Sequence, residues 1–197
     1  AQPSVIGMNG AAYFTFNNLN VQGTGNYAYC AMLFNGANFN VFSACTFSVP
    51  FNTTTTLHIP VVFSGSGTSY ATAGNSGNGN NFNGCTMYSG YAGIWMYNST
   101  SAPFNSDNII QNCNISDFYY CGVYSYYSNR LTMKYNILER LTRTMFTTTY
   151  GSFFIYNSGL MCDGNQYRRL FDALPTSASA CYPIYGYYAP DRKSTRL

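Results

Sequence analysis

The side chains best placed to act on a substrate are Asp117, Glu139 and Arg140. Two carboxylates lie in neighbouring repeats of the sequence, and Arg140 directly follows the second. Two carboxylates with a basic side chain beside them have the chemistry of general acid–base catalysis. These three residues are therefore the catalytic candidates. The alternative is a pair of solvated carboxylates with Arg140 or Arg143 as their counterion.

A second chemical signal is a set of aromatic rings at alternate positions of short apolar segments. Side chains alternate between the two faces of a β-strand, so the mostly aliphatic positions are predicted to point inward and the rings outward. The inward set is Ile94, Met96, Val123, Ser125, Phe153 and Ile155, and the outward set is Trp95, Tyr97, Tyr124, Tyr126, Phe154, Tyr156, Tyr185 and Tyr187. Rings that carry hydroxyls suit the faces of sugars, so the outward set contains the candidate carbohydrate-binding residues. The alternative is that the rings only stabilise neighbouring strands.

Metal and cofactor chemistry has little support in the sequence. The seven cysteines form no CxxC pair and His58 is the only histidine, so neither a zinc site nor any other cofactor is predicted. A disulfide framework stays open as an alternative, because spacing alone does not fix how cysteines pair.

Composition excludes several classes of partner. Only 8% of the residues are charged, and the formal net charge is +3. Residues 191–197 hold three of the nine basic residues, which leaves six basic against five acidic residues in the rest of the chain. A basic nucleic-acid groove is therefore not predicted. No apolar run approaches the roughly 18 residues that a membrane span needs.

A sequence repeat indicates which elements position these side chains. Residues 82–87 match 42–47 and 110–115, and weaker copies lie at 16–21, 133–138 and 162–167. The fourth positions of the copies are Leu19, Cys45, Cys85, Cys113, Asn136 and Asn165. Units of two or three short strands bury their apolar faces only by stacking on one another.

The repeats resemble the right-handed parallel β-helix family, the pectin-lyase-like superfamily, and especially the N-x-I-x-x-N/C-x-I coils of secreted bacterial repeat proteins. The clearest stretch, residues 108–141, reads NIIQNCNISDFYYCGVYSYYSNRLTMKYNILERL. The resemblance implies an all-β fold, a right-handed parallel β-helix (solenoid) of about six coils. Cys45, Cys85 and Cys113 are then expected to form an interior column that continues as Asn136 and Asn165, because a thiol and an amide fill similarly small volumes.

The same resemblance shapes the functional expectations. The favoured interpretation is a secreted or cell-surface bacterial repeat scaffold that binds a polysaccharide or cell-surface glycan, or that serves in adhesion. The alternative is a polysaccharide lyase or glycoside hydrolase acting on an acidic polysaccharide. Asp117 and Glu139 would serve that enzyme, since their separation along the chain is close to the offset between their coils and the two are expected to stack. A purely structural stalk is the third possibility.

The chain is predicted to hold one domain. Residues 1–190 form the β-helix, taken as a fragment of a longer protein, and residues 191–197 are interpreted as a non-native tail because their composition matches nothing before them. The Gly/Ser/Asn-rich residues 64–80 are predicted to form a loop outside the coil.

Overall fold

The structure is a computed structural model that describes residues 3–171 and 179–187. These residues form 21 short strands wound into a parallel β-helix of about six coils, which confirms the predicted fold. The predicted non-native tail, residues 191–197, lies outside the described residues. Within the described ranges, no helix has the length and apolar character needed to cross a lipid bilayer.

Three parallel sheets form the walls of the coil. The first sheet contains β1 (Ser4–Asn9), β4 (Ala28–Phe34), β7 (His58–Phe63), β10 (Ala92–Tyr97), β14 (Cys121–Tyr126), β18 (Thr149–Ile155) and β21 (Cys181–Tyr187). The second sheet contains β2 (Thr15–Asn17), β5 (Val41–Ser43), β8 (Asn81–Asn83), β12 (Ile109–Gln111), β16 (Thr132–Lys134) and β19 (Met161–Asp163). The third sheet contains β3 (Asn20–Gln22), β6 (Thr46–Ser48), β9 (Thr86–Tyr88), β13 (Asn114–Ser116), β17 (Ile137–Glu139) and β20 (Gln166–Arg168). A short pair, β11 (Asn105–Ser106) and β15 (Ser128–Asn129), extends one corner of the coil.

A single residue turns the chain from the second sheet into the third. Each of these corner residues has a positive φ of 51–65°, and in chain order they are Asn18, Ala44, Gly84, Asn112, Tyr135 and Gly164. Asn and Gly adopt this left-handed conformation more easily than other residues. The repeated third position of the sequence motif is therefore a corner rather than part of a strand.

The residue after each corner lies in the predicted interior column in every coil but the first, where Leu19 is 39% exposed. Cys45, Cys85 and Cys113 are all buried, and their Sγ atoms donate to the carbonyls of Phe16, Phe42 and Phe82 at 3.2–3.5 Å, one coil below. Asn136 and Asn165 donate from Nδ2 in the same way to Ile110 and Met133 at 2.9 Å. The stacked column is thus confirmed, and all seven cysteines are free thiols.

A second polar column, made of Asn40, Asn80 and Asn108, lines the entry to the second sheet. The Oδ1 atom of Asn80 accepts from the backbone N and the Nδ2 of Asn40, both at 3.0 Å. The Oδ1 atom of Asn108 accepts from the backbone N and the Nδ2 of Asn80 at 2.9 and 3.1 Å. All three side chains are buried. The sequence motif did not include this column, which lies one residue before each second-sheet strand.

The first sheet departs from strict alternation at one position in each coil. The residues after Tyr29, Ile59, Ala92, Cys121, Tyr150 and Tyr182 are left out of the ladder pairing. This position holds Cys30, Pro60, Gly93, Gly122, Gly151 and Pro183. Proline fits because it has no N–H to pair. Glycine fits because a Cβ on Gly122 would lie 2.6 Å from the carbonyl oxygen of Gly151.

The glycine position shows that the predicted orientation of one strand is wrong. Gly151, and not Ser152, is equivalent to Gly122, so Phe153 lies opposite Tyr124 and Phe154 lies opposite Ser125. Phe154 therefore points into the core, where it is 4% exposed, while Phe153 faces outward. Ile155, also predicted to point inward, pairs with Tyr126 on the outer side.

Candidate functional site

The carboxylate of Asp117 is used to hold a neighbouring turn. Its Oδ1 accepts from the backbone N of Thr142 and Arg143 at 2.9 and 3.2 Å, and its Oδ2 accepts from the Thr142 hydroxyl at 2.9 Å. The residue is 4% exposed. With its oxygens engaged and buried, this carboxylate is a structural cap of the turn at 142–143 in the observed conformation.

Two buried arginines surround this turn. Arg140 donates to the Thr149 hydroxyl and to the carbonyl of Met145, and Arg143 donates to the carbonyls of Asp117 and Thr53. Burial lowers the pKa of each guanidinium to about 10, and the charge of Arg140 contributes to the lowering at Arg143. Each guanidinium group also lies over an aromatic ring. The Cζ of Arg140 is 4.7 Å from the ring centroid of Phe146, and the Cζ of Arg143 is 5.2 Å from that of Tyr119. Arg140 therefore anchors loops inside the protein and does not face solvent.

Glu139 points to a different partner from Asp117. Its Oε2 lies 3.4 Å from Nη2 of Arg168, the residue directly opposite it on β20. The expected stacking of the two carboxylates is wrong, because the ladder places Glu139 opposite Ser116, the residue before Asp117. Only the amide of Asp117 reaches Glu139, through a hydrogen bond to its carbonyl. The structure does not assemble Asp117, Glu139 and Arg140 into one solvent-facing group.

The predicted ring columns form on the outside of the first sheet, except for Phe154, which points into the core, and Tyr156, which lies beyond the strand. We call this surface the outer aromatic face; it comprises Tyr29, Met32, Phe34, Ile59, Val62, Ala92, Trp95, Tyr97, Cys121, Tyr124, Tyr126, Tyr150, Phe153 and Ile155. Trp95 and Tyr124 stack with their centroids 3.8 Å apart and their planes 8° from parallel, and Tyr97 and Tyr126 stack at 4.6 Å. Further along the axis, Tyr185 and Tyr187 lie opposite Phe153 and Ile155.

The stacking limits what the outer aromatic face offers to a ligand. Rings that stack along the helix axis present their faces to one another and only their edges to the outside. Trp95 is 7% exposed and Tyr124 is 8% exposed, and burial raises the pKa of the Tyr124 hydroxyl. The predicted open platform is therefore wrong for these two residues in the observed conformation. Tyr97, Tyr126 and Tyr185 are partly exposed, and Tyr187 is 47% exposed.

An accessible aromatic cavity lies at the end of the first-sheet strands. We call it the corner cavity; it has a volume of about 120 Å³ and is lined by Phe104, Tyr127, Ser128, Tyr156 and Ser158. Its three rings come from successive coils, with Tyr127 lying 4.7 Å from Tyr156 and 6.1 Å from Phe104. Tyr156, predicted to continue the column of Tyr126, instead stacks on Tyr127, because Ile155 takes the position opposite Tyr126.

Sequence reasoning missed Phe104 and Tyr127, although a signal was present. Phe104 precedes Tyr127 by the same interval that separates Cys113 from Asn136 in the interior column. The interval from Tyr127 to Tyr156 likewise equals the interval from Asn136 to Asn165. The rings were overlooked because they belong to corners and not to strands.

The lone histidine joins two loops. His58 Nδ1 is 2.7 Å from the Thr53 hydroxyl, and Nε2 is 3.2 Å from the Gly25 carbonyl. The carbonyl only accepts, so Nε2 carries a proton. Across residues 3–171 and 179–187, no group of three or more His, Cys, Asp and Glu side chains is placed to hold a metal ion.

A family model described as a right-handed beta helix region matches residues 4–169. No curated protein and no solved structure matches the chain.

Proposed function

Since the chain belongs to the right-handed β-helix family, we propose that it is a repeat scaffold, secreted or displayed at the cell surface, that binds a polysaccharide or cell-surface glycan. The corner cavity is the proposed contact site. It is the observation that carries the proposal, because it combines accessible aromatic rings with hydroxyl groups in one concave place. Apolar C–H faces of a sugar pack on aromatic rings, and hydroxyls orient the sugar through hydrogen bonds.

The dimensions of the corner cavity favour one sugar ring of a longer chain. One water molecule needs about 10–15 Å³ of cavity volume, so the cavity of about 120 Å³ has room for several waters. A sugar ring would take the place of these waters. The Ser158 hydroxyl donates to Asn129 Oδ1 at 3.0 Å. Its lone pairs remain able to accept a hydrogen bond from a sugar hydroxyl.

The charge of the site favours a neutral polymer. The lining residues of the corner cavity carry no formal charge. Asp107 and Arg130 are bound to each other through two hydrogen bonds of 2.6 and 2.7 Å. A neutral polysaccharide then needs no counterion on the protein. Adhesion through surface glycans uses the same contact.

The test is binding of neutral xylan and β-glucan, with pectin and alginate as charged comparisons, measured by affinity electrophoresis. We expect Tyr127→Ala to weaken binding of the neutral polymers at least tenfold. Tyr13→Ala is the matched control, since Tyr13 is an exposed corner tyrosine four coils away that also stacks on an aromatic ring. Equal binding by wild type and Tyr127→Ala, or no binding by wild type, would overturn the proposal.

A further inference from the structure

A short loop covers part of the outer aromatic face. Residues 64–75 leave the coil after β7, as the sequence predicted for residues 64–80, but the prediction is wrong for residues 76–80, since Asn80 is buried in the second polar column of the coil. Gly67 packs so closely on Phe34 that a Cβ there would lie 2.7 Å from the ring. The Tyr70 ring meets Trp95 edge to face, with centroids 5.2 Å apart and planes at 66°. The loop therefore covers the lower end of the stacked pair of Trp95 and Tyr124.

The loop is held together by hydrogen bonds between its own residues. Ser64 Oγ donates to the carbonyls of Ser69 and Thr72 at 2.6 and 3.2 Å, and the Gly65 amide donates to Thr72 at 2.7 Å. Ser66 and Thr68 also bond within the loop. The two ends of the loop approach each other closely at Gly65 and Ala73; we call this place the neck. A glycine is needed there, because a Cβ on Gly65 would lie 2.5 Å from the Ala73 carbonyl oxygen.

The two ends of the loop are tied to the coil, and its middle is not. The Ser64 amide donates to the Leu33 carbonyl at 3.0 Å, and Asn75 accepts from the Gly36 amide at 2.9 Å and from Asn105 Nδ2 at 3.1 Å. The side-chain hydrogen bonds between these ends run within the loop, so lifting the middle of the loop from the sheet leaves them intact. The contacts broken include those of Tyr70 on Trp95 and of Gly67 on Phe34, both apolar. Gly/Ser-rich necks impose little conformational resistance to such a movement.

A buried polar atom of Trp95, the residue that Tyr70 contacts, lacks a partner. Within the part of the chain that the structure describes, the Nε1 of Trp95 is buried and has no hydrogen-bond acceptor. A buried indole N–H normally finds an acceptor, and leaving one without costs free energy. Tyr70 supplies a ring to Trp95 but no acceptor to this N–H.

We propose that Tyr70 occupies the place of a sugar ring, and that residues 64–75 are a lid over a second carbohydrate subsite formed by Trp95 and Tyr124. A sugar ring matches what Tyr70 provides, an apolar surface against the indole, and adds an oxygen that accepts from Nε1. The ligand is a ring of the same neutral polysaccharide. The inference rests on the proposed glycan-binding function for its ligand class, but not for its geometry.

The first measurement tests the lid without any ligand. Trp95 is the only tryptophan in the chain, so its fluorescence reports this site alone. In the full chain, Tyr70→Ala is expected to raise the acrylamide quenching constant of Trp95 several-fold and to shift its emission to the red. Tyr70→Phe and Tyr13→Ala are expected to leave both unchanged. Unchanged quenching in Tyr70→Ala would overturn the inference.

The second measurement tests the ligand. A closed lid reduces the apparent affinity by the fraction of open molecules, so Tyr70→Ala is expected to bind xylan or β-glucan several-fold more tightly than wild type. Adding Trp95→Phe to Tyr70→Ala is expected to cancel that gain, because the substitution removes the N–H donor. A gain that persists without the N–H would overturn the assignment of Nε1.

The two proposals fail in different ways. Loss of binding in Tyr127→Ala together with no effect of Tyr70→Ala overturns the lid and supports the corner cavity. A response to Tyr70 and Trp95 substitutions with no effect of Tyr127→Ala supports the lid and overturns the corner cavity. No binding of any polymer by wild type or by the Tyr70 variants overturns both.

Discussion

Asn165 accepts two hydrogen bonds from Asn136, the equivalent residue one coil below. Its Oδ1 lies 3.0 Å from the backbone N of Asn136 and 2.8 Å from Nδ2. Asn136 in turn accepts from the amide of Cys113 at 2.9 Å and donates to Ile110. The interior column therefore links successive coils through both the side chain and the main chain.

Replacing Asn136 is expected to separate these contributions. Asn136→Ala leaves the Cys113 amide and the Ile110 carbonyl without their partners in a buried place, so the free energy of unfolding should fall by about 2 to 4 kcal/mol. Asn136→Cys restores a donor to Ile110, as the thiols of neighbouring coils do, and should lose about half as much. Urea unfolding measures both. Equal losses in the two variants would contradict the assigned role of the thiol.

The orientation of β18 gives a second prediction. Phe154 points into the core and Phe153 lies half-buried on the outer aromatic face. Phe154→Ala is expected to lower the free energy of unfolding by about 3 to 5 kcal/mol, the usual cost of such a cavity. Phe153→Ala should cost clearly less. The reverse order in thermal or urea unfolding would restore the orientation predicted from the sequence.

The same strand shows where sequence reasoning reached its limit. In the second and third sheets, one corner residue recurs in every coil and one small interior residue recurs in every coil after the first, so the register follows from the sequence. In β18 two adjacent phenylalanines fit either orientation. Only the equal spacing of Gly93, Gly122 and Gly151 resolves the choice, through the close approach of neighbouring backbones.

The candidate sites were harder to predict than the fold for two physical reasons. Asp117 lies one position beyond the residue that pairs with Glu139, and this shift sends the two acids to different partners, since pairing is set residue by residue. The corner cavity and the lid arise from corners and loops, which lack the alternating pattern of a strand. Tyr70 lies in such a loop, and no pattern in residues 64–75 relates it to Trp95.

Ala44 provides a prediction of increased stability. It is an exposed corner residue with φ of 51°, where the next coil has Gly84. A Cβ is disfavoured in this conformation, so Ala44→Gly is expected to raise the free energy of unfolding by up to about 1 kcal/mol. Ala71→Gly is the matched control, because Ala71 is exposed and its φ is not positive. The control should be neutral or destabilising, and a loss of stability in Ala44→Gly would contradict the argument.

Buried thiols and phenols make the fold sensitive to alkali. Burial raises the pKa of Cys30 from an ordinary 9.0 to about 12 and that of Cys162 to about 11, and it raises the pKa of Tyr91 from 10.0 to about 12. A raised pKa in the folded state means that the folded protein keeps the proton while the unfolded chain releases it. The stabilisation is complete below pH 9 and is lost as the pH rises toward the folded pKa values.

The pH prediction applies between pH 9 and pH 10. From about pH 9 upward the lowered pKa values of Arg140 and Arg143 act in the opposite direction, since the folded state releases these protons first, and below pH 10 the more numerous buried thiols outweigh them. We expect the free energy of unfolding, measured in urea, to fall between pH 9 and pH 10. Each buried thiol contributes at most about 1.4 kcal/mol per pH unit. Cys30→Ala should make this fall shallower because it removes one titrating group, and an unchanged slope would show that the Cys30 thiol titrates alike in both states.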